Sequence, residues 1–450
     1  MSLFEEFGPA GSPIAEAPSS AQLFADAYAE NTPAKQKSAP NDSESWTYLV
    51  NLTATMLPGA GAKSKYDKLQ SLKDLTSNSD SEVIVQEFDE KTRTLNRYKI
   101  SHGKIEEAKP VQSAGTASDL QDLLSSAPRT GHLALINEAH GNGDKGFTGD
   151  DSDISVDDFK KAVKKGLADN GRDNLDLLSL DSCLMANVQA LNSISGLAKN
   201  IVASELEQFS SVSMSSNPPV ATYDMQPIDQ YLSALIQHTP QNGREAAEVI
   251  LSVASKSCDA LAPENQACGT PTLAIIKPEA ASQANTALDN LGEQLQVAVK
   301  DAKIKQTVDS LIAQTHDVSQ ADDHLRDVDS FAKGIIDLIS QGSIKDDNGH
   351  LKHAAQEVLK ADSNLIGAFY VNPNTTIVKV FGLQDKLHGV NTFLPGPQFD
   401  IRAEAENIVG PIAAQKLPLN ELLDKEIKAS LPDAYSGAWA GFIRTMRAAG

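Results

Sequence analysis

Residues 175–191 read LDLLSLDSCLMANVQAL, and this stretch decides the fold. Leu175, Leu177, Leu178 and Leu180 make a short apolar run, the pattern of a strand buried on both faces. Asp181 and Ser182 end it. Leu184, Val188 and Leu191 then recur at i, i+4 and i+7, which predicts one face of a helix. Cys183 thus falls where a buried strand hands over to a helix N-terminus. Open α/β sheets bind ligands at such strand ends, and the positive end of a helix favours thiolate over thiol.

The same alternation extends outward. Trp46 to Thr55 and Glu82 to Phe88 predict strands, with a helix over about 62–75 between them as a right-handed crossover. Thr94 to Ile100 returns as an antiparallel addition, and Ser118 to Leu124 is a short helix. HLALIN (His132 to Asn137) is a third buried strand running into Glu138-Ala139-His140-Gly141-Asn142-Gly143. Ser155 to Asp158 fits a capping box ahead of a helix face made by Phe159, Val163 and Leu167. Asn200 to Ser204 is a further strand, ending at Glu205. The fold class is α/β, a mostly parallel sheet covered by helices on both faces.

Beyond residue 215 the texture changes. Helices are expected at Ile228 to Ile236, Arg244 to Val253, around Leu288 to Val299, at Asp329 to Ile339 and around Trp439. Thr272 to Lys277 and Val390 to Leu394 read as strands, and two more flank Asn372-Pro373-Asn374 as a hairpin. The expected organisation is a disordered leader over 1–44, rich in Ala, Ser, Pro and Glu, an α/β core over 45–215, and a largely helical elaboration with a few added strands over 216–450.

Composition narrows the function. The chain has 450 residues and is 40% hydrophobic but only 5% aromatic, which allows a sizeable aliphatic core. Its net charge of -21 argues against nucleic acid and anionic membrane surfaces and favours basic peptides. Three cysteines, Cys183, Cys258 and Cys268, make no disulfide framework. Cys258 and Cys268 either pair across a short loop or stand as two structural thiols. The N-terminus lacks a basic segment followed by an apolar one, and no stretch reaches the roughly 20 apolar residues of a membrane span. The expectation is therefore a cytoplasmic protein, or one exported by a non-Sec route, acting as a monomer without membrane insertion.

His140 and Cys183 follow successive buried strands, so a parallel sheet brings them to one edge although they lie 43 positions apart. A thiol beside an imidazole is the minimal apparatus of acyl transfer. Gly141 allows close backbone approach, and N–H groups there and at Cys183 are candidates for an oxyanion hole. Taken singly, a lone Cys is usually a small buried hydrophobe and a lone His a packed or surface residue. The two strand ends and their glycines together favour catalysis.

A strand ending in His-Gly, followed by one ending in Asp-x-Cys, resembles the clostripain family of cysteine peptidases, relatives of gingipains, legumains and caspases. LDSCLMANVQAL is similar to its nucleophile motif and IVASE to its next strand. Thr272 to Lys277, HGVNTFLP (His388 to Pro395) and Tyr435 to Trp439 extend the resemblance from about Trp46 to the end. The resemblance implies a caspase-like fold, Cys183 as nucleophile and His140 as general acid/base. It also implies that Asp181 selects Arg or Lys at P1; the alternative for Asp181 is a helix cap. Glu205, at the neighbouring strand end, is the next candidate substrate-binding acid. The implied partners are proteins or peptides with basic residues.

The sequence departs from the family pattern at Thr53-Ala54-Thr55-Met56, where an acidic pair is usual. It departs again near Pro218, Pro219 and Tyr223, where Gly-Trp is usual. Asp144 to Asp153 is strongly acidic. No cofactor is required, but calcium is compatible with this loop since some relatives use it, although an EF-hand is excluded: from Asp151, position 6 is Val156 and position 12 is Ala162. Lys145, Lys160 and Lys161 are candidate processing sites, against a merely solvated loop. The function expected is cleavage after a basic residue, with self-processing an open question. The alternatives are a degenerate peptidase that only binds peptides, and a translocated effector whose leader directs delivery.

Overall fold

A computed structural model describes residues 45–52, 62–89, 92–113, 115–148, 153–206, 211–213, 220–222, 228–259, 272–318, 324–372, 378, 383–397 and 437–447. The strands in chain order are β1 (Trp46–Leu52), β2 (Glu82–Asp89), β3 (Thr94–Ser101), β4 (Lys104–Glu107), β5 (Val111–Gln112), β6 (His132–Glu138), β7 (His140–Gly141), β8 (Phe147–Thr148), β9 (Asp153–Ile154), β10 (Leu177–Asp181), β11 (Ile201–Ala203), β12 (Ser211–Ser213), β13 (Val220–Thr222), β14 (Thr272–Ile276), β15 (Leu325–Asp327), β16 (Ile366–Val371) and β17 (Asn391–Phe393). One sheet runs β16-β14-β11-β10-β6-β1-β2-β3-β4. From β11 to β2 its neighbours are parallel; β14, β16, β3 and β4 join antiparallel. The sheet thus takes strands from both sides of residue 215.

The central strands are buried on both faces, which is why they read as continuous apolar runs rather than alternating ones. Leu178 and Leu180 point into a core closed by helices Ala117–Ser125, Val156–Asn170, Val188–Ile194 and Ala281–Ala298. Leu177, Ala134 and Ile136 point the other way, to helices Ile228–His238 and Gly243–Asp259. Helix Val156–Asn170 begins where its sequence predicts: the Ser155 hydroxyl accepts the Asp158 N–H, and Gly171 ends it in the left-handed conformation.

Polar residues inside the sheet fix its register. Asn51 donates to Asn137 (2.9 Å), Gln86 donates to Asn51 (3.0 Å) and Arg97 to Gln86 (2.5 Å), a ladder crossing β6, β1, β2 and β3. A one-residue slip would bury each of these amides against apolar neighbours.

Two expectations change. Val390 to Leu394 does form a strand, β17, but it pairs with β15 outside the main sheet. The predicted hairpin yields β16, whereas Asn374 and most of its second strand lie outside the described residues. So do the leader, Thr53 to Met56, and Pro218, Pro219 and Tyr223. No helix among the described residues is long and apolar enough to cross a membrane.

At the N-terminal edge of the sheet, buried Asp176 joins three strands. It accepts the Leu133 N–H (3.0 Å) and Lys199 Nζ (2.8 Å), with His132 Nδ1 at 3.4 Å. Burial pushes its pKa up, but the Lys199 hydrogen bond, the Leu133 N–H and the charges of Lys199 and His132 outweigh it, and the net shift is downward. A depressed carboxyl stabilises the fold above its unfolded pKa of about 3.9, and that benefit is lost as pH falls through the folded value. Asp176→Asn should therefore cost about 1–2 kcal/mol at pH 7, discounted for the exposed Lys199. Urea denaturation at pH 7 and pH 3 checks this: the difference from wild type should shrink at pH 3, and an equal deficit at both would refute it.

Candidate active site

β6 and β10 lie side by side in parallel register, with Asp181 opposite Glu138. The chain beyond each strand turns over the same C-terminal edge. His140 and Gly141 form the two-residue strand β7, held in a small antiparallel sheet with β8 and β9. A Cβ built on Gly141 would lie 2.1 Å from the Cys183 carbonyl oxygen and 2.9 Å from its nitrogen. The backbones of Gly141 and Cys183 are therefore in contact, and only glycine fits there. This contact brings the His140 strand end against the thiol-bearing residue. Cys183 is half-buried against the aliphatic core. His132 sits at the far end of β6 with Asp176, away from this edge.

The expected helix N-terminus at Cys183 is not there. The helix begins at Val188 and is capped by Asn187, whose side chain accepts the N–H groups of Gln189 (3.1 Å) and Ala190 (3.0 Å). Cys183 and Leu184 form a turn and Asn187 bridges to Asn391 before the helix starts, so the i, i+4 spacing of Leu184 and Val188 carried no helical meaning. Cys183 therefore lies outside the first turn of the helix, and hydrogen bonds hold the loop. Leu184 N–H donates to Leu206 O (3.1 Å) and Ala186 N–H to Ser204 O (2.8 Å). Leu184 itself has φ +62°, an uncommon conformation for a branched side chain, placed directly after the thiol.

The other side of the loop is held by β17. Asn391 N–H donates to Ala186 O (2.9 Å), and its side-chain amide donates to Leu184 O (3.3 Å) and Glu205 O (2.9 Å). Asn187 donates to Asn391 Oδ1 (3.0 Å), and Gln189 pairs with Thr392 (2.9 Å). Sequence reasoning missed Asn187, Gln189, Asn391 and Thr392 as supports of the site. Their one signal was polar residues inside two otherwise apolar runs, MANVQAL and VNTFL.

Asp181 is the last residue of β10, and alternation points it away from Leu178 and Leu180. It does not cap the helix, a role Asn187 fills. Burial pushes its carboxyl well above the usual carboxylate range, and Oδ2 meets no hydrogen-bond partner among the described residues. Glu205 is fully enclosed and accepts the Gly389 N–H (2.7 Å), so it is tied to a neighbouring loop rather than facing an open pocket.

Lys160 and Lys161 lie inside helix Val156–Asn170, with Lys161 against Asp158 at 3.4 Å. Proteolysis favours exposed loops, so this placement speaks against cleavage at either. Lys145 ends the short turn Gly143–Lys145. In the acidic loop Asp144 is buried, and residues 149–152 lie outside the described residues. Among the described residues no three His, Cys, Asp or Glu side chains are grouped to hold a metal ion. Cys258 lies in helix Gly243–Asp259, and Cys268 is outside the described residues.

No protein-family model matches the sequence, and no curated protein does. Solved structures match. One is a secreted C11 cysteine protease from Bacteroides thetaiotaomicron with an irreversible peptide inhibitor, at 13% identity and TM-score 0.52, covering 82% of this chain and 99% of that one. Another is that organism's secreted C11 protease named iotapain, at 12% identity and TM-score 0.53, with the same coverage. A third is an inactive zymogen C11 protease from Parabacteroides distasonis, at 10% identity and TM-score 0.54, covering 84% and 99%. The expectation of a cytoplasmic or non-Sec-exported protein is corrected by these likenesses, since both Bacteroides structures are of secreted proteases. The chain has the mixed α/β, caspase-like fold of the C11, clostripain-type cysteine proteases.

Proposed function

We propose that the protein is a clostripain-like cysteine endopeptidase that cuts peptide bonds after a basic residue. The observation that supports this reading is the backbone contact of Gly141 with Cys183, which joins the residue after His140 to the residue that bears the thiol. Cys183 Sγ attacks the scissile carbonyl as His140 takes its proton and passes it to the amine when the C–N bond breaks; His140 then takes a proton from the water that attacks the thioester and returns it to Sγ when the C–S bond breaks. In this reading, N–H groups at Gly141 and Cys183 receive the developing oxyanion. The fold of known cysteine proteases supports the reading.

Asp181 supports a basic P1 residue. Burial favours the neutral form of this carboxyl and its Oδ2 meets no donor among the described residues, so an arriving cation would favour the ionised form and make a charge-assisted pair with it. The overall charge of -21 would attract any basic peptide, but that long-range term is screened over about 10 Å at 0.1 M salt. A desolvated contact is screened far less, so the preference should survive high salt.

The test is a kinetic comparison of purified variants on peptides differing only at P1. Cys183→Ala should be inactive with its fold retained, and turnover by it would end the assignment. His140→Ala should lose about 10²- to 10⁴-fold in kcat/KM, while His132→Ala stays active. If His132→Ala inactivated and His140→Ala did not, the dyad would be wrong.

Gly141→Ala should lose activity by a comparable factor, because its Cβ must displace the Cys183 carbonyl. Normal turnover by this variant would mean that the contact does not shape the site.

For Asp181→Asn, the readout is the kcat/KM ratio of basic over neutral P1. It should collapse by a few kcal/mol, the cost of an unpaired buried cation. An unchanged ratio would remove Asp181 from the pocket.

A further inference from the structure

Glu205 is 0% exposed, and its two carboxyl oxygens have different surroundings. Oε2 accepts the Gly389 N–H at 2.7 Å. Oε1 meets no N–H among the described residues, and the Asp327 carboxyl, also fully buried, neighbours the Glu205 side chain. Two buried carboxylates in contact require a proton between them. The donors decide which acid keeps it. Asp327 receives three: Ser330 N–H (2.6 Å) and His388 Nδ1 (2.9 Å) on Oδ1, and His388 N–H (2.9 Å) on Oδ2. Glu205 receives one. The negative charge therefore rests on Asp327, beside His388, and the proton rests on Glu205, which donates it to Asp327.

The titration directions agree. Burial, then the Asp327 charge and hydrogen bond, push Glu205 well above the carboxylate range. Burial also pushes Asp327 up, but its hydrogen bonds from His388 and Glu205 bring the net shift down. The Asp327 hydrogen bond raises His388. Other charged groups face this cluster. Asp329 and Lys333 come from helix Val328–Ser340, Asp362 from helix His350–Leu365, Lys386 from the segment before β17, and His316 from the chain ahead of β15. Asp329 and Asp362 are a second pair of neighbouring acids.

The cluster is joined to the nucleophile loop. Gly389, held by the Glu205 side chain, precedes Asn391 by two residues. Asn391 uses one side-chain amide to hold both Glu205 O and Leu184 O, the carbonyl next to Cys183. We infer that Glu205 is a positioning residue for the nucleophile: as a neutral acid bridging Asp327 and the Gly389 N–H, it keeps β17 seated against the loop that carries Cys183. This rests on the reading of Cys183 as nucleophile, and it gives Glu205 a role other than contact with substrate.

The test compares wild type, Glu205→Gln and Glu205→Ala by peptide kinetics and by thermal denaturation across pH. Glutamine keeps both bonds, accepting from Gly389 and donating to Asp327, but has no proton to lose. A carboxyl with a raised folded pKa stabilises fully below its unfolded pKa, about 4.3 for Glu, and the benefit is lost as pH rises through the folded value. Wild type should therefore lose melting temperature with rising pH more steeply than Glu205→Gln. Asp362 and Asp181 titrate in both proteins, so the difference between the curves is the readout.

At neutral pH Glu205→Gln should cleave near the wild-type rate. Glu205→Ala should lose about 10²-fold in kcat, as a misplacement of about 1 Å produces, with KM little changed. Superimposable pH curves for wild type and Glu205→Gln would overturn the shared proton. Wild-type kcat in Glu205→Ala, or loss of kcat in a folded Glu205→Gln, would overturn the positioning role. A wild type that cleaves no peptide would instead end the peptidase reading, and the positioning role with it, a failure seen before any variant is compared.

Discussion

The contact between the Gly141 and Cys183 backbones is the constraint on which the site depends. Two parallel strands in register, β6 and β10, deliver a His-Gly end and an Asp-Ser-Cys end to one edge of the sheet. The strands alone would leave these ends a strand spacing apart, about 4.8 Å. Removing the side chain at residue 141 lets the second backbone close onto the first. The imidazole and the thiol are carried by residues on either side of that closure.

The loop that bears the thiol is held by directed hydrogen bonds ahead of the helix. Leu206 and Ser204 grip it from one side, and Asn391 from the other. A left-handed Leu184 costs on the order of 1–3 kcal/mol and persists only where the surroundings over-determine it. Asn391, Asn187 and the Gln189–Thr392 pair supply that determination. The segment beyond residue 215 thus reaches the Cys183 loop: β15 and β17 pair outside the main sheet, and Asn391 of β17 holds that loop.

Much of this was legible in the sequence because the central strands are buried on both faces. WTYLVNL, EVIVQEF, HLALIN and LDLLSL announce themselves as apolar runs, and the polar residues that end β6 and β10 mark the functional edge. Ser155 and Gly171 likewise announce the bounds of their helix. What stayed hidden is long-range. Asn391 holds Leu184 from 207 positions away, and no local pattern carries that. Leu184 misled because an apolar residue four positions before Val188 suits a helix and a turn packed on the core alike. Glu205 misled for a related reason: a strand-end acid suits a substrate pocket in sequence, and only its enclosure beside Asp327 and Gly389 assigns it to the interior.

The central claim is that the Gly141 contact makes Cys183, alone among three cysteines, an activated nucleophile. Mass-spectrometric mapping of a thiol-directed peptidyl probe ending in arginine tests it most directly. One adduct per chain, on Cys183, absent from His140→Ala on the same timescale, is the result this account predicts. An adduct shared with Cys258 or Cys268, or one formed equally fast on Cys183 without His140, would contradict it.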